Sequence, residues 1–299
     1  MERVDRGGVK QITIPIGNEY GNQIWYNLER QEIVRTAPKE LWDISAEKNE
    51  NGQFVIRLNS SLASSVFKTT TTIFDEVTQA PASNQFKYDE SSGGTDTLAI
   101  GVLTTFGEIF ILDRGFSSAG LPLGRLKLQF THAEGNTLYL RHSALNGNND
   151  FTGFIEVNEN YNTVGYSFTS REMLFHEPVR NDWHLCFTQY THLFYEPYQP
   201  YLVVGVLSNA STLDVAELNT IAFDQINADV ALTTVYSTRV DEIGYDWKFY
   251  NFDLAQFTIE ENKFYLLQTA NALMYRMRFI DFYNEAGERG YPMFELVPI

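Results

Sequence analysis

Residues 125–142 read Arg-Leu-Lys-Leu-Gln-Phe-Thr-His-Ala-Glu-Gly-Asn-Thr-Leu-Tyr-Leu-Arg-His. Leu126, Leu128 and Phe130 alternate with Lys127 and Gln129, and after the turn Glu134-Gly135-Asn136 the alternation resumes at Leu138 and Leu140. A period of two puts the apolar side chains on one face of a strand, whereas a helix would need them every three or four residues. The stretch is a β-hairpin with one buried face.

The same pattern recurs outward from it. Tyr275, Met277 and Phe279 alternate with Arg276 and Arg278, and after Glu285-Ala-Gly-Glu288 the chain resumes at Tyr291 and Phe294, which predicts a second hairpin. Only Asn219 to Ile226, where Ile221, Ala222 and Ile226 share a helical face, predicts a short helix. The expected fold class is all-β, in two tandem sheet or sandwich-like domains of related topology with little helix.

An internal repeat supplies the domain reading. Tyr26-Asn-Leu-Glu-Arg-Gln-Glu-Ile-Val-Arg-Thr-Ala-Pro38 aligns without gaps on Tyr166-Ser-Phe-Thr-Ser-Arg-Glu-Met-Leu-Phe-His-Glu-Pro178, and each is followed by a tryptophan strand, from Leu41 and from Asp182. The strands at Glu108 and Gly124 are echoed by those at Lys263 and Tyr275, so both halves close on a hairpin. The expected domains are 1–148 and 149–299, with the linker in the turn-rich run Asn146-Gly-Asn-Asn-Asp150. The Gly/Ser stretch Glu90 to Asp96 reads as a surface loop within the first domain.

The chain has 299 residues, 43% of them hydrophobic and 14% aromatic, which is enough apolar matter to bury a core. Its 38 acidic against 22 basic residues leave a net charge of −16, so duplex nucleic acid is a poor partner and anionic membrane surfaces are disfavoured. The single cysteine, Cys186, rules out an internal disulfide and a cysteine-rich zinc site, and its apolar neighbours predict a core position. No run approaches the length of a membrane span, and residues 1–30 lack an apolar leader core.

Catalytic motifs are missing. There is no GxxxxGK[ST], no GxGxxG, no GxSxG and no HExxH; His176-Glu177 runs into Pro178, which would break a zincin helix. Carboxylates are abundant, but no two are singled out as a glycosidase pair.

Five histidines remain. His132 and His142 flank the first hairpin turn, with His142 expected opposite Leu128 and His132 near Leu138, roughly 13 Å apart and both on the surface. In the tryptophan strand of the second half, Trp183, Leu185 and Phe187 alternate with His184, Cys186 and Thr188. A straight strand would put His184 and His192 about 26 Å apart, so they could share an iron only if the chain turned back. Tyr195-Glu-Pro-Tyr-Gln-Pro200 predicts a reversal just beyond His192. Phe187, Tyr190, Phe194, Tyr195, Tyr198 and Tyr201 crowd the same region and could stack on a flat ligand or fill a core.

Four stretches, Trp183-His-Leu-Cys-Phe-Thr-Gln-Tyr-Thr-His192, Pro200-Tyr-Leu-Val-Val-Gly-Val-Leu207, Ile243-Gly-Tyr-Asp-Trp-Lys248 and Gly290-Tyr-Pro-Met-Phe-Glu295, resemble the HmuY-like haem-binding lipoproteins of Bacteroidetes in order and spacing. Tyr20-Gly-Asn-Gln-Ile-Trp-Tyr26 and Leu41-Trp-Asp-Ile44 resemble the same family more weakly. The resemblance implies two HmuY-like β domains and a non-enzymatic, secreted or outer-membrane surface lipoprotein whose leader and lipid anchor lie outside this chain. It implies capture of haem, or another small flat ligand, for iron acquisition through an outer-membrane transporter.

Haem held this way needs a His or Met axial donor in an apolar slot. His192 is the expected donor, with His184 or a methionine, Met173 or Met274, as second ligand, and with Tyr190, Phe194 and Tyr195 against the ring. Met277 shares a face with Tyr275 and Phe279 and reads as core. The first half has no histidine before His132, so the halves cannot share one ligand set. The alternatives are a surface protein of the same fold binding a glycan, peptide or protein, and a hydrolase with a carboxylate pair.

Overall fold

The computed structural model describes residues 8–299. Its strands are antiparallel, as the alternation predicts. The first half holds β1 (Lys10–Thr13), β2 (Asn22–Asn27), β3 (Glu32–Pro38), β4 (Ile44–Lys48), β5 (Phe54–Leu58), β6 (Ser65–Lys68), β7 (Gly101–Val102), β8 (Ile109–Asp113), β9 (Arg125–Glu134) and β10 (Thr137–Ala144). The second holds β11 (Phe151–Glu156), β12 (Val164–Ser167), β13 (Glu172–Leu174), β14 (Leu185–Tyr195), β15 (Tyr198–Ser208) and β16 (Leu213–Leu218). Helix α1 (Ala228–Thr233), β17 (Lys248–Asn251), β18 (Gln256–Ile259), β19 (Phe264–Thr269), β20 (Met274–Tyr283) and β21 (Arg289–Pro298) complete it.

Both expected hairpins form, as β9–β10 and β20–β21. His142 lies opposite Leu128, but a register shift between Tyr139 and Leu140 sets His132 opposite Tyr139 rather than Leu138. The expected helix at Asn219–Ile226 is a 3-10 turn over Phe223–Gln225, and the α-helix comes one turn later. Asn227 explains the shift: its side chain accepts the N–H groups of Asp229 and Val230, an N-cap that starts the helix after it.

The chain forms two compact units, and they do not divide at 148/149. One contains the chain up to Thr36, Arg180–Thr188 and Val204–Ile299; the other contains Ala37–Val179 and Gln189–Val203. The first unit holds the sheet β1-β21-β20-β19-β16 and, of the sheet β3-β2-β14-β15, the strand β2, β3 up to Thr36, β14 up to Thr188 and β15 from Val204. In the second the sheets run β11-β10-β9-β8-β6 and β13-β12-β4-β5-β7. The orders correspond place for place, with β11 standing as β1, β10 as β21 and β12 as β2. Even β7, paired to β5 through Ile56 and Gly101, has a counterpart in the single bridge between Val206 and Gly244.

The correction to the boundary is an exchange of opening strands. β2 pairs with β14, Tyr26 opposite Leu185 and Ile24 opposite Phe187, while β12 pairs with β4, Tyr166 opposite Ile44 and Val164 opposite Ala46. Each half therefore gives its first strands to the sheets of the other. Buried backbone N–H and C=O groups must find partners, and these ladders supply them from segments more than a hundred residues away.

Each unit has its own core. In the first, Ile24, Tyr26, Leu185, Phe187, Trp247, Met277 and Phe294 form one cluster, with Trp247 stacked on Phe279 at 3.8 Å. Trp183, Trp247, Cys186 and Met277 are all buried, Cys186 as its apolar neighbours predict and Met277 as its alternation with Arg276 and Arg278 predicts. In the second, Ile44, Ile56, Leu112, Leu128, Leu140 and Tyr166 form the main cluster. His142 belongs here rather than on the surface. Its ring lies against Phe151 of the neighbouring strand β11 and against Tyr166 and Phe168 of the chain at β12, with Nε2 3.2 Å from the Tyr166 hydroxyl.

Candidate functional site

Strand β14 carries most of the residues expected to bind, and burial sorts them. At its base, His184 is 3% exposed and serves the fold. Its Nδ1 accepts the backbone N–H of Leu28 at 3.1 Å, and Nε2 lies 3.8 Å from Glu29. Burial holds the imidazole below its ordinary pKa, with Glu29 opposing. Asp43 does the same work in the other unit: it too follows a buried tryptophan, and its Oδ2 accepts the N–H of Phe168 at 2.7 Å. With Nδ1 committed to a backbone donor and the ring closed in, the role the structure shows for His184 is to hold the fold.

Tyr190 is wholly buried. Beyond it β14 runs unbroken to Tyr195, and β15 returns from Tyr198, so the chain reverses where expected. His192 is half-buried, and its ring meets that of Phe194 edge-on at 4.8 Å. Phe194, Tyr195, Tyr198 and Tyr201 are exposed around the turn, an apolar and phenolic surface at the end of the hairpin. Tyr195 donates its hydroxyl proton to the Glu90 carboxylate and lies 6.1 Å, ring to ring, from Tyr198.

Both methionines pack against core clusters. Met173 lies on β13 opposite Tyr166 and covers the core of its unit, while Met274 packs over Ala216, Ile226, Phe264 and Leu266 in the other unit. Met274 is half-buried like Met173, but it lies in the unit that does not contain His192. His176 is buried against Trp42 at 4.3 Å, a fit that requires Gly165, whose added Cβ would stand 2.9 Å from His176 Nδ1.

Among the described residues no three His, Cys, Asp or Glu side chains gather as a metal site, and no helix is long and apolar enough to cross a membrane. Two clefts, of about 390 and 560 Å³, lie beside Val77 and Phe223 and include none of the residues at the hairpin end. The hairpin end is thus a surface platform. Sequence reasoning saw its tyrosines but not Glu90, because the loop that carries Glu90 is brought to Tyr195 only by folding.

The HmuY protein family model matches residues 19–296. The chain belongs to the HmuY family. The match runs across residue 148.

Similar solved structures include the apo form of a HmuY analogue from Tannerella forsythia, 11% identical, covering 99% of this chain and 100% of that one with a TM-score of 0.27. Apo PinO from Porphyromonas gingivitis is 9% identical, covers 98% of each chain and gives 0.28. A Bacteroides vulgatus protein described as HmuY-like and haem-binding is 10% identical, covers 97% of this chain and 91% of that one, and gives 0.24. No curated protein sequence matches the chain.

Proposed function

We propose that this HmuY-family protein binds haem without catalysing a reaction, at the cell surface or after secretion, and passes it to an outer-membrane transporter. Membership of the family across residues 19–296 carries the reading. A lipid anchor outside this chain would hold it at the membrane.

The end of the β14–β15 hairpin has the chemistry a porphyrin requires. A flat apolar macrocycle is bound by ring surface and an axial nitrogen or sulfur donor. Phe194 offers exposed ring surface, and His192, on the same face of β14 and edge-on to Phe194, offers an imidazole nitrogen. Met173, in the same unit, is the remaining candidate for a second donor. Haem as cargo needs only capture and release, which suits a donor on a hairpin end better than one sealed in a core.

Titration of the full chain with haemin, read by the Soret band, tests this. A shifted band at one equivalent supports the reading, and an unshifted band overturns it. A second reading, recognition of a protein partner, draws on the β17–β18 hairpin, where Phe249, Tyr250, Phe252 and Leu254 are all exposed.

A further inference from the structure

The phenolic side of the hairpin end has a chemistry that haem capture does not use. Tyr195 stands on the face of β14 opposite His192 and Phe194, since successive side chains of a strand alternate. There its hydroxyl meets the Glu90 carboxylate, and its ring neighbours that of Tyr198. Tyr198 in turn is close enough to Glu90 and Tyr88 for their charges to act on it, and both raise its pKa on top of partial burial. Two phenols and a carboxylate therefore share one small, solvent-accessible patch within a single unit, with a third phenol at its rim.

We propose that Tyr195, Tyr198 and Glu90 form a binding site for a hard trivalent cation, ferric iron foremost, with Tyr88 at its edge.

Oxygen donors with negative charge suit hard cations, and phenolate oxygen is an established donor to ferric iron in haem proteins. The charges close: each phenol releases its proton to solvent as its oxygen bonds the metal, and two phenolates with one carboxylate neutralise a trivalent ion. No electron moves, so no oxidant or reductant is needed. The hydrogen bond between Tyr195 and Glu90 holds two donors together in advance, with one proton where the metal would go. Water fills the remaining positions, because the patch is open. The chain's net charge of −16 draws cations towards it.

The test is titration of the full chain with ferric nitrilotriacetate near neutral pH, followed by visible absorbance. Phenolate bound to ferric iron produces a charge-transfer band that neither tyrosine nor the chelate gives alone. The expected result is such a band saturating at one equivalent, with release of protons. It should disappear in Tyr195→Phe and in Glu90→Gln, weaken in Tyr198→Phe, and persist in Tyr201→Phe, a tyrosine of β15 outside the patch. The substituted side chains lie at the surface, and an unchanged melting temperature confirms that each variant is folded. No band in the unsubstituted chain, or a band that survives the Tyr195→Phe and Glu90→Gln changes together, overturns the proposal. Haem capture is read separately at the Soret band, so either can fail while the other stands.

Discussion

Asn59 and Asn209 hold the same corner in the two units. Asn59 donates through Nδ2 to the carbonyls of Lys39 and Trp42, at 2.8 and 2.7 Å, and accepts the N–H of Ser61. Asn209 donates to the carbonyls of Arg180 and Trp183, at 2.8 and 3.0 Å, and accepts the N–H of Ser211. The backbone agrees: Asn59 N–H donates to the Asp43 carbonyl and Asn209 N–H to that of His184, both at 2.9 Å. In each case a buried asparagine ties the turn before a tryptophan strand to the end of the next strand.

Replacing Asn59 or Asn209 by Ala removes the side-chain hydrogen bonds to two carbonyls, of which that of Trp183 keeps the Thr212 hydroxyl at 2.9 Å, and each change should cost about 2 to 3 kcal/mol. Denaturant unfolding of the two variants should show similar losses. A loss under about 0.5 kcal/mol at either position would mean that water takes over the corner.

Trp247 is packed on Phe279 at 3.8 Å, edge-on to Phe282, with the Lys248 ammonium over its ring at 4.1 Å. Trp247→Ala should destabilise the protein by about 3 to 5 kcal/mol through the cavity it leaves, seen as a lower melting temperature. A variant of unchanged stability that no longer shifts the Soret band of haemin would make Trp247 a ligand contact.

His142 gives a pH signature. Burial, aided by Arg171 and Arg114 and opposed by Asp150, pushes its pKa down from 6.5 to about 4. Between those values the unfolded chain takes up a proton that the folded chain refuses, so the contribution is complete above pH 6.5 and lost as pH falls towards 4. His142→Phe should flatten the fall of stability over that window in thermal scans. An identical pH slope in the two proteins would show that the imidazole stays accessible to protons.

For haem, His192→Ala should abolish or strongly blue-shift the Soret change on adding haemin while leaving the melting temperature unaltered, since the ring is half-buried near the hairpin end. His184→Ala should behave the other way, losing stability with the Leu28 hydrogen bond but keeping haem. If haem binding instead followed His184, the site would lie elsewhere.

The alternation of Leu126, Leu128 and Phe130, repeated along the chain, was enough to determine an all-β fold, its two terminal hairpins and the core position of Met277. Those are local consequences of which face of a strand is apolar. The order of tyrosine, proline, tryptophan and hairpin elements also exposed the repeat, because equivalent strands need equivalent patterns. Three matters were decided only in three dimensions. Strands β2 and β12 could have closed ladders with either half, since a ladder asks for backbone donors and acceptors and takes no account of sequence distance. His142, His184 and His192 are chemically alike in sequence, and only the rings around the first, the Leu28 amide facing the second and the open hairpin end beside the third give them different roles. Glu90 meets Tyr195 across more than a hundred residues of chain because two loops end at the same corner of one unit, a proximity that no local pattern records.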